Sequence, residues 1–160
     1  MTYRLLFVCL GNICRSPSAE GIMVHLIRER GLEDHILCDS AGTSSYHIGS
    51  LPDRRMTAAA RHQGIELRGQ ARQFSKADFD TFDLILAMDR QNYRDILRLA
   101  TSDGHEQKVR MMCSYCKVYS DDEVPDPYYG GDEGFQYVIN LLLDACEGLL
   151  NQIEVELPQH

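Results

Sequence analysis

The sequence predicts an α/β fold: a single three-layer domain in which an open four-stranded parallel sheet is covered by helices on both faces. Three observations carry that reading. Tyr3 to Cys9 is continuously apolar after Arg4 rather than alternating, as a strand buried on both faces must be. Further short strand candidates follow at Ile36 to Asp39, Leu84 to Met88 and Val109 to Cys113. Stretches with helical apolar spacing lie between them, and strands alternating with helices give a parallel sheet.

Taken in order, the first strand runs into Cys9-Leu10-Gly11-Asn12-Ile13-Cys14-Arg15-Ser16 and then Pro17. Ser16 can cap and Pro17 can start a helix to about Arg30, with Ala19, Met23, Leu26 and Ile27 along one side and Gly31 as its stop. The second strand ends in Ser40-Ala41-Gly42, and residues 43–52 read as a loop. Asp53 caps a helix that passes Met56, Ala59 and Ala60 and stops at Gly64. Residues 65–74 carry no clear pattern. Ser75-Lys76-Ala77-Asp78 resembles a capping box before a short helix. Gln91 to about Ala100 is helical, with Ile96 and Leu97 inward. Residues 117–134 form a long loop rich in Asp, Pro, Tyr and Gly, and loops of that length inside compact domains tend to be functional or disordered. The last helix is the clearest: Phe135, Val138, Ile139, Leu142, Leu143, Cys146, Leu149 and Leu150 mark one broad apolar face, read as core.

The loop after the first strand is where chemistry is concentrated. A loop running into a helix start aims several backbone N–H groups at one spot, and the helix dipole adds partial positive charge there. Residues Leu10, Gly11, Asn12, Ile13 and Cys14 thus read as a phosphate-binding loop. A thiolate at its mouth is favoured by the same field, and Arg15 adds a cation that grips two phosphate oxygens at once. Cys9 is the candidate nucleophile, and it lies beyond the carboxyl end of a strand, where open sheets bind ligands.

Composition narrows the alternatives. A chain of 160 residues, read as one domain over 1–160, can bury a core without staples. Net charge of -8 with no long Lys/Arg run argues against general nucleic-acid or anionic-membrane binding, so a phosphate site must be a local positive spot. The first eight residues are too short for a signal peptide and no apolar run reaches membrane-spanning length, which points to the cytoplasm. Free thiols are then expected for the six cysteines. Cys113-Ser114-Tyr115-Cys116 is a lone C-x-x-C, read as two unrelated thiols; the six histidines show no ligand spacing, and no metal or cofactor is expected.

The run Val8-Cys9-Leu10-Gly11-Asn12-Ile13-Cys14-Arg15-Ser16-Pro17 resembles the signature of the low-molecular-weight protein tyrosine phosphatases. A thiolate attacking phosphorus needs an acid for its leaving group. Asp126, stiffened by Pro125 and Pro127, is the best candidate, and Asp126-Pro127-Tyr128-Tyr129 resembles the family's general-acid loop. The resemblance also implies that Ser16 donates to the Cys9 sulfur, that Ser40 supports Asn12 and that Asp89 matches an acidic position. Asn12 either holds the loop through side-chain bonds or stands there because it tolerates a left-handed backbone. Tyr46, Tyr128 and Tyr129 read as rim residues, whose aromatic walls suit a phenyl phosphate. Cys14 either forms a reversible disulfide with Cys9 or packs as a small thiol. One departure stands out. Relatives commonly carry a histidine shortly before an Ala-Arg-Gln run, and here Ala71-Arg72-Gln73 is preceded by Gly69 at that position.

The implied activity is metal-free hydrolysis of phosphotyrosine and other aryl phosphates, on phosphotyrosine-containing protein substrates, by a monomer. The rival enzyme is a thiol-dependent arsenate reductase, which needs further cysteines; residues 80–90 hold none, leaving Cys113 and Cys116. A non-catalytic phosphate-binding module is the third reading, and it has no use for Asp126.

Overall fold

The computed structural model describes residues 2–128 and 130–157. Strand β1 (Tyr3–Cys9) takes up the first apolar run in full, and β2 (Ile36–Gly42), β3 (Leu84–Ala87) and β4 (Val109–Met111) pair with it in the order β2-β1-β3-β4, all parallel. The central strand alternates sides. Leu5, Phe7 and Cys9 face one core cluster, and Leu6 and Val8 face the other. Every residue from Leu5 to Cys9 is buried, so an apolar run without polar alternation is what a strand covered on both faces requires.

One face is covered by α1 (Arg15–Glu29), α2 (Arg54–His62) and α6 (Asp132–Glu156). Phe135, Val138, Ile139, Leu142, Cys146, Leu149 and Leu150 of α6 are buried as the apolar stripe predicts, while Leu143 is only partly so. The other face is covered by α3 (Asp78–Thr81) and α4 (Arg90–Leu97), whose Phe79 and Ile96 pack with Phe74 and Phe82 on Val8, Ile85 and Ala87. A single α/β domain with a four-stranded parallel sheet flanked by helices results, as the sequence predicts.

Asp53 caps α2 by accepting the N–H groups of Arg55 and Met56. Ser16 is not a cap. Helix α1 starts two residues earlier, at Arg15 after Cys14, with no side-chain cap, and the Ser16 hydroxyl is spent on the neighbouring loop instead. The capping box at Ser75 forms in half: Asp78 reaches back to the Ser75 N–H at 2.8 Å. Strand β2 runs three residues past Asp39, through Gly42, because β1 continues to Cys9 and pairs with Ser40, Ala41 and Gly42; Gln73 bridges Gly42 on the other edge. Strand β4 stops at Met111, where a 3-10 turn, Met112–Tyr115, takes over. Helix α5 (Asp103–Gln107) has no apolar stripe by which periodicity could reveal it; its one local sign is Ser102, which accepts the His105 N–H.

Candidate active site

The loop from Cys9 to Arg15 is shaped by what its carbonyls do. Cys9 O accepts from Thr43 N, Leu10 O from Ser44 N and Ile13 O from Asp53 N, at 2.8–2.9 Å. With the carbonyls turned outward and tied, the N–H groups of Leu10, Gly11, Ile13 and Cys14 are left with no acceptor among the described residues. They line a recess of about 70 Å³ together with Cys9, Arg15, His47, Asp126 and Tyr128. That is far below the roughly 300–1,000 Å³ of a drug-sized site and suits a small oxyanion on its floor. Gly42, paired with Cys9 across the sheet, allows this close packing: a Cβ there would stand 2.7 Å from Leu10 O and 3.1 Å from Asn12 N.

Cys9 Sγ lies 3.1 Å from Ser16 Oγ and 3.3 Å from the N–H of Asn12, which donates to it. Asn12 has φ 57, the one non-glycine residue at positive φ among those described, and its side chain is engaged at both ends. Nδ2 donates to Ser16 Oγ at 2.8 Å, and Oδ1 accepts the Arg72 N–H at 3.0 Å. Both of the roles open to Asn12 are therefore filled at once.

Arg15 is 3% exposed and fixed from behind. Its Nη1 donates to Asp89 Oδ2 at 2.7 Å and to Val124 O at 3.0 Å, and its Nη2 stands 3.6 Å from Asp126 Oδ2. Burial alone would push the guanidinium down, but Cys9, Asp89 and Asp126 outweigh it and its pKa is raised. Asp89 itself sits at the carboxyl end of β3 and caps α4 with its other oxygen, accepting from Asn92 N at 2.7 Å. The long loop reaches the recess through Val124, fully buried, whose N–H donates to Met88 O at 2.8 Å. Asp126 follows two residues on, its Oδ1 accepting the Tyr128 N–H.

Other expected residues land differently. Tyr128 lines the recess. Tyr46 is 89% exposed and reaches the mouth only through His47, whose ring centroid lies 5.7 Å from that of Tyr46 and 6.1 Å from that of Tyr128. Tyr129 lies outside the described residues. Ser40 does not bond to Asn12: its hydroxyl donates to Glu20 Oε1 at 2.6 Å, and the Asn12 oxygen accepts the Arg72 N–H instead. Cys14 is buried, which pushes its thiol well up. Cys113 lies in the 3-10 turn and Cys116 just after it, where the Cys116 N–H donates to Cys113 O at 3.2 Å, and burial raises their thiols to about 12 and about 11. All six cysteines are free thiols in the structure.

Three contributors were not singled out from sequence. His47 packs on Gly11, where an added Cβ would come within 2.9 Å of its ring. Arg72 ties the Asn12 amide, and Glu20 holds Ser40. The loop around His47 offers no pattern for a histidine at a rim, and of the acids that fix Arg72, Asp39 lies 33 residues away and Asp78 six, neither at a spacing that marks a pair. The Ala71-Arg72-Gln73 run was the one available sign.

A parallel α/β sheet with a thiol in an N–H-lined recess, backed by a buried guanidinium and faced by a carboxyl group, defines a cysteine-dependent phosphatase. A family model described as low molecular weight phosphotyrosine protein phosphatase matches residues 4–159, and the chain belongs to that family. It is 56% identical over 154 residues to a Synechocystis sp. relative named for the same family, covering 96% of this chain and 98% of that one. A crystal structure of the protein tyrosine phosphatase of Entamoeba histolytica, with Hepes in its active site, is 44% identical and superposes with a TM-score of 0.94 over 97% of this chain and 99% of that one. A Drosophila arginine phosphatase is 34% identical, with a TM-score of 0.87 over 94% and 97%.

Proposed function

We propose that Cys9, Arg15, Ser16 and Asp126 carry out the family's hydrolysis in two steps. Cys9 thiolate attacks phosphorus in line with the phenolic oxygen; the S–P bond forms, the P–O bond breaks, and Asp126 gives its proton to the departing phenolate. Water then attacks phosphorus, Asp126 takes a proton from it, and the S–P bond breaks to release inorganic phosphate. Arg15 and the free N–H groups of Leu10, Gly11, Ile13 and Cys14 hold the equatorial oxygens through both steps. Ser16 and the Asn12 N–H stabilise the thiolate, which makes it a better leaving group in the second step. No metal or cofactor enters this chemistry. Among the described residues no helix is long and apolar enough to cross a membrane, and the need for a reduced Cys9 fits the cytoplasm.

The observation that carries this reading is convergence: Asp126 Oδ2 and Cys9 meet at one recess with a single guanidinium between them. Phosphotyrosine is the substrate class the mouth supports, because His47 and Tyr128 offer it aromatic faces. The discriminating experiment is turnover of aryl phosphates of graded leaving-group quality by wild type, Cys9→Ser and Asp126→Ala, beside phosphoarginine hydrolysis and arsenate reduction with a thioredoxin couple. Cys9→Ser is expected to be inactive. Asp126→Ala is expected to lose most rate on poor leaving groups and least on good ones. Equal losses on all would remove Asp126 from the acid role, and wild type that spares aryl phosphates while reducing arsenate would overturn the reading.

A further inference from the structure

Beside the recess, on the far side of the 43–52 loop, α2 and the segment before Ala71 enclose a cleft of about 380 Å³. Leu51, Pro52 and Leu67 give it an apolar part, and Arg54, Arg61 and Arg68 also line it. Resting on the phosphatase reading above, we infer that this cleft docks an acidic segment, carrying one apolar side chain, of the protein substrate whose phosphotyrosine fills the recess.

Charge is the first argument. The chain has 24 acidic and 16 basic residues, yet this cleft is lined by three arginines and no carboxylate. The guanidinium groups of Arg54 and Arg61 have no ion-pair or hydrogen-bond partner among the described residues, and that of Arg68 pairs only with the exposed Glu66, a contact that contributes little. Apolar exposure is the second. Leu51 is 69% exposed at the edge of the cleft, an anchor point for one aliphatic side chain.

Continuity with the site is the third. The Asp53 N–H donates to Ile13 O of the phosphate loop at 2.8 Å, so the cleft wall at Pro52 begins one residue from the recess lining. A substrate chain leaving the recess along that wall brings the residues flanking its phosphotyrosine toward Arg54 and Arg61. Cations without internal partners break no internal pair when they meet a ligand, and complementary charge raises encounter rate and selectivity.

The test compares kcat/KM for phosphotyrosine peptides whose flanks, on either side in turn, are Asp/Glu-rich with one Leu, Gly/Ser-rich or Lys-rich. Wild type is set against Arg54→Glu/Arg61→Glu and the milder Arg54→Ser/Arg61→Ser. Wild type is expected to favour the acidic flank over the neutral one by about tenfold at low salt, with the preference shrinking as salt rises. Both double variants are expected to lose it while turning over a small aryl phosphate at the wild-type rate. Equal use of acidic and neutral peptides by wild type, or a preference that survives charge reversal, would overturn the docking site. So would inhibition by RNA or anionic vesicles without any peptide preference. Loss of aryl phosphate turnover in wild type would instead strike the phosphatase reading.

Discussion

Asn12 Oδ1 accepts the backbone N–H of Arg72 at 3.0 Å, sixty residues further along the chain. That bond holds a residue whose left-handed backbone costs roughly 1–2 kcal/mol, and it leaves Nδ2 aimed at Ser16 Oγ. Arg72 is itself immobilised: its guanidinium bonds to Asp39 on β2 and to both oxygens of Asp78 on α3. The hydroxyl beside the Cys9 sulfur is thus positioned through an amide, a backbone N–H and two carboxylates, and no histidine is needed.

Asn12→Ala removes both bonds, each worth about 1–3 kcal/mol when buried partners are left unmet. Because Ser16 is then free to rotate away, the second step suffers most. The expected result is a roughly 10–100-fold fall in kcat, with phosphocysteine accumulating as a pre-steady-state burst of phenol. A variant with wild-type kcat and no burst would show that the amide has no hold on Ser16.

Gly69→His is a sharper test of the same network. Gly69 has φ +88, and nothing lies within 4 Å of where its Cβ would be, so a histidine there is strained and starts from open space. Restoring the residue that relatives commonly carry is expected to lower stability by roughly 1–2 kcal/mol and to leave kcat within about twofold. A rise in kcat, read beside the thermal midpoint, would show that the ring reaches Ser16 after all.

Asp89 serves two elements, and its variants separate them. Asp89→Asn can still cap α4 but removes the charge 2.7 Å from Arg15. KM for aryl phosphates is expected to rise and kcat/KM to fall by roughly tenfold, since the guanidinium loses a fixed partner of about 1.5–3 kcal/mol. Asp89→Ala is expected to add a loss of about 1 kcal/mol in stability from the missing cap. If Asp89→Asn binds inorganic phosphate as well as wild type does, Arg15 is oriented by Val124 O alone.

These contrasts follow what a sequence can and cannot carry. The fold was legible because β1 is buried on both faces and α6 has one broad apolar stripe, and both leave their periodicity in the residue order. Cys9, Arg15 and the loop between them were legible because the geometry is local, within seven residues. Ser16 was misplaced as a cap because the competing partner, Asn12 Nδ2, is a matter of tertiary orientation. Ser40 was matched to Asn12 by resemblance, whereas its real partner is Glu20, reached across the interface of α1 and β2. The roles of Arg72 and His47 at the site are hidden for the same reason: the loop residues they meet, Asn12 and Gly11, lie far away in sequence.

Glu20 gives the remaining prediction. Burial raises its carboxyl from 4.5 to about 7, with Asp39 adding to the rise and the Ser40 hydrogen bond and Arg72 opposing it. Between those two values the folded protein holds a proton that the unfolded chain has released, so stability falls as pH rises across that window. Below about 4.5 both states are protonated and the group contributes its full share; above about 7 that share is gone. Glu20→Gln keeps an oxygen for Ser40 to donate to and carries no charge. Its stability relative to wild type is expected to grow from near zero at pH 4.5 to about 2 kcal/mol at pH 8, discounted for the part of the side chain that meets solvent. Urea unfolding of both proteins at four or five pH values measures the difference directly. A difference that does not change with pH would mean that Glu20 titrates alike in the folded and unfolded chain, leaving Ser40 bonded to an ordinary carboxylate.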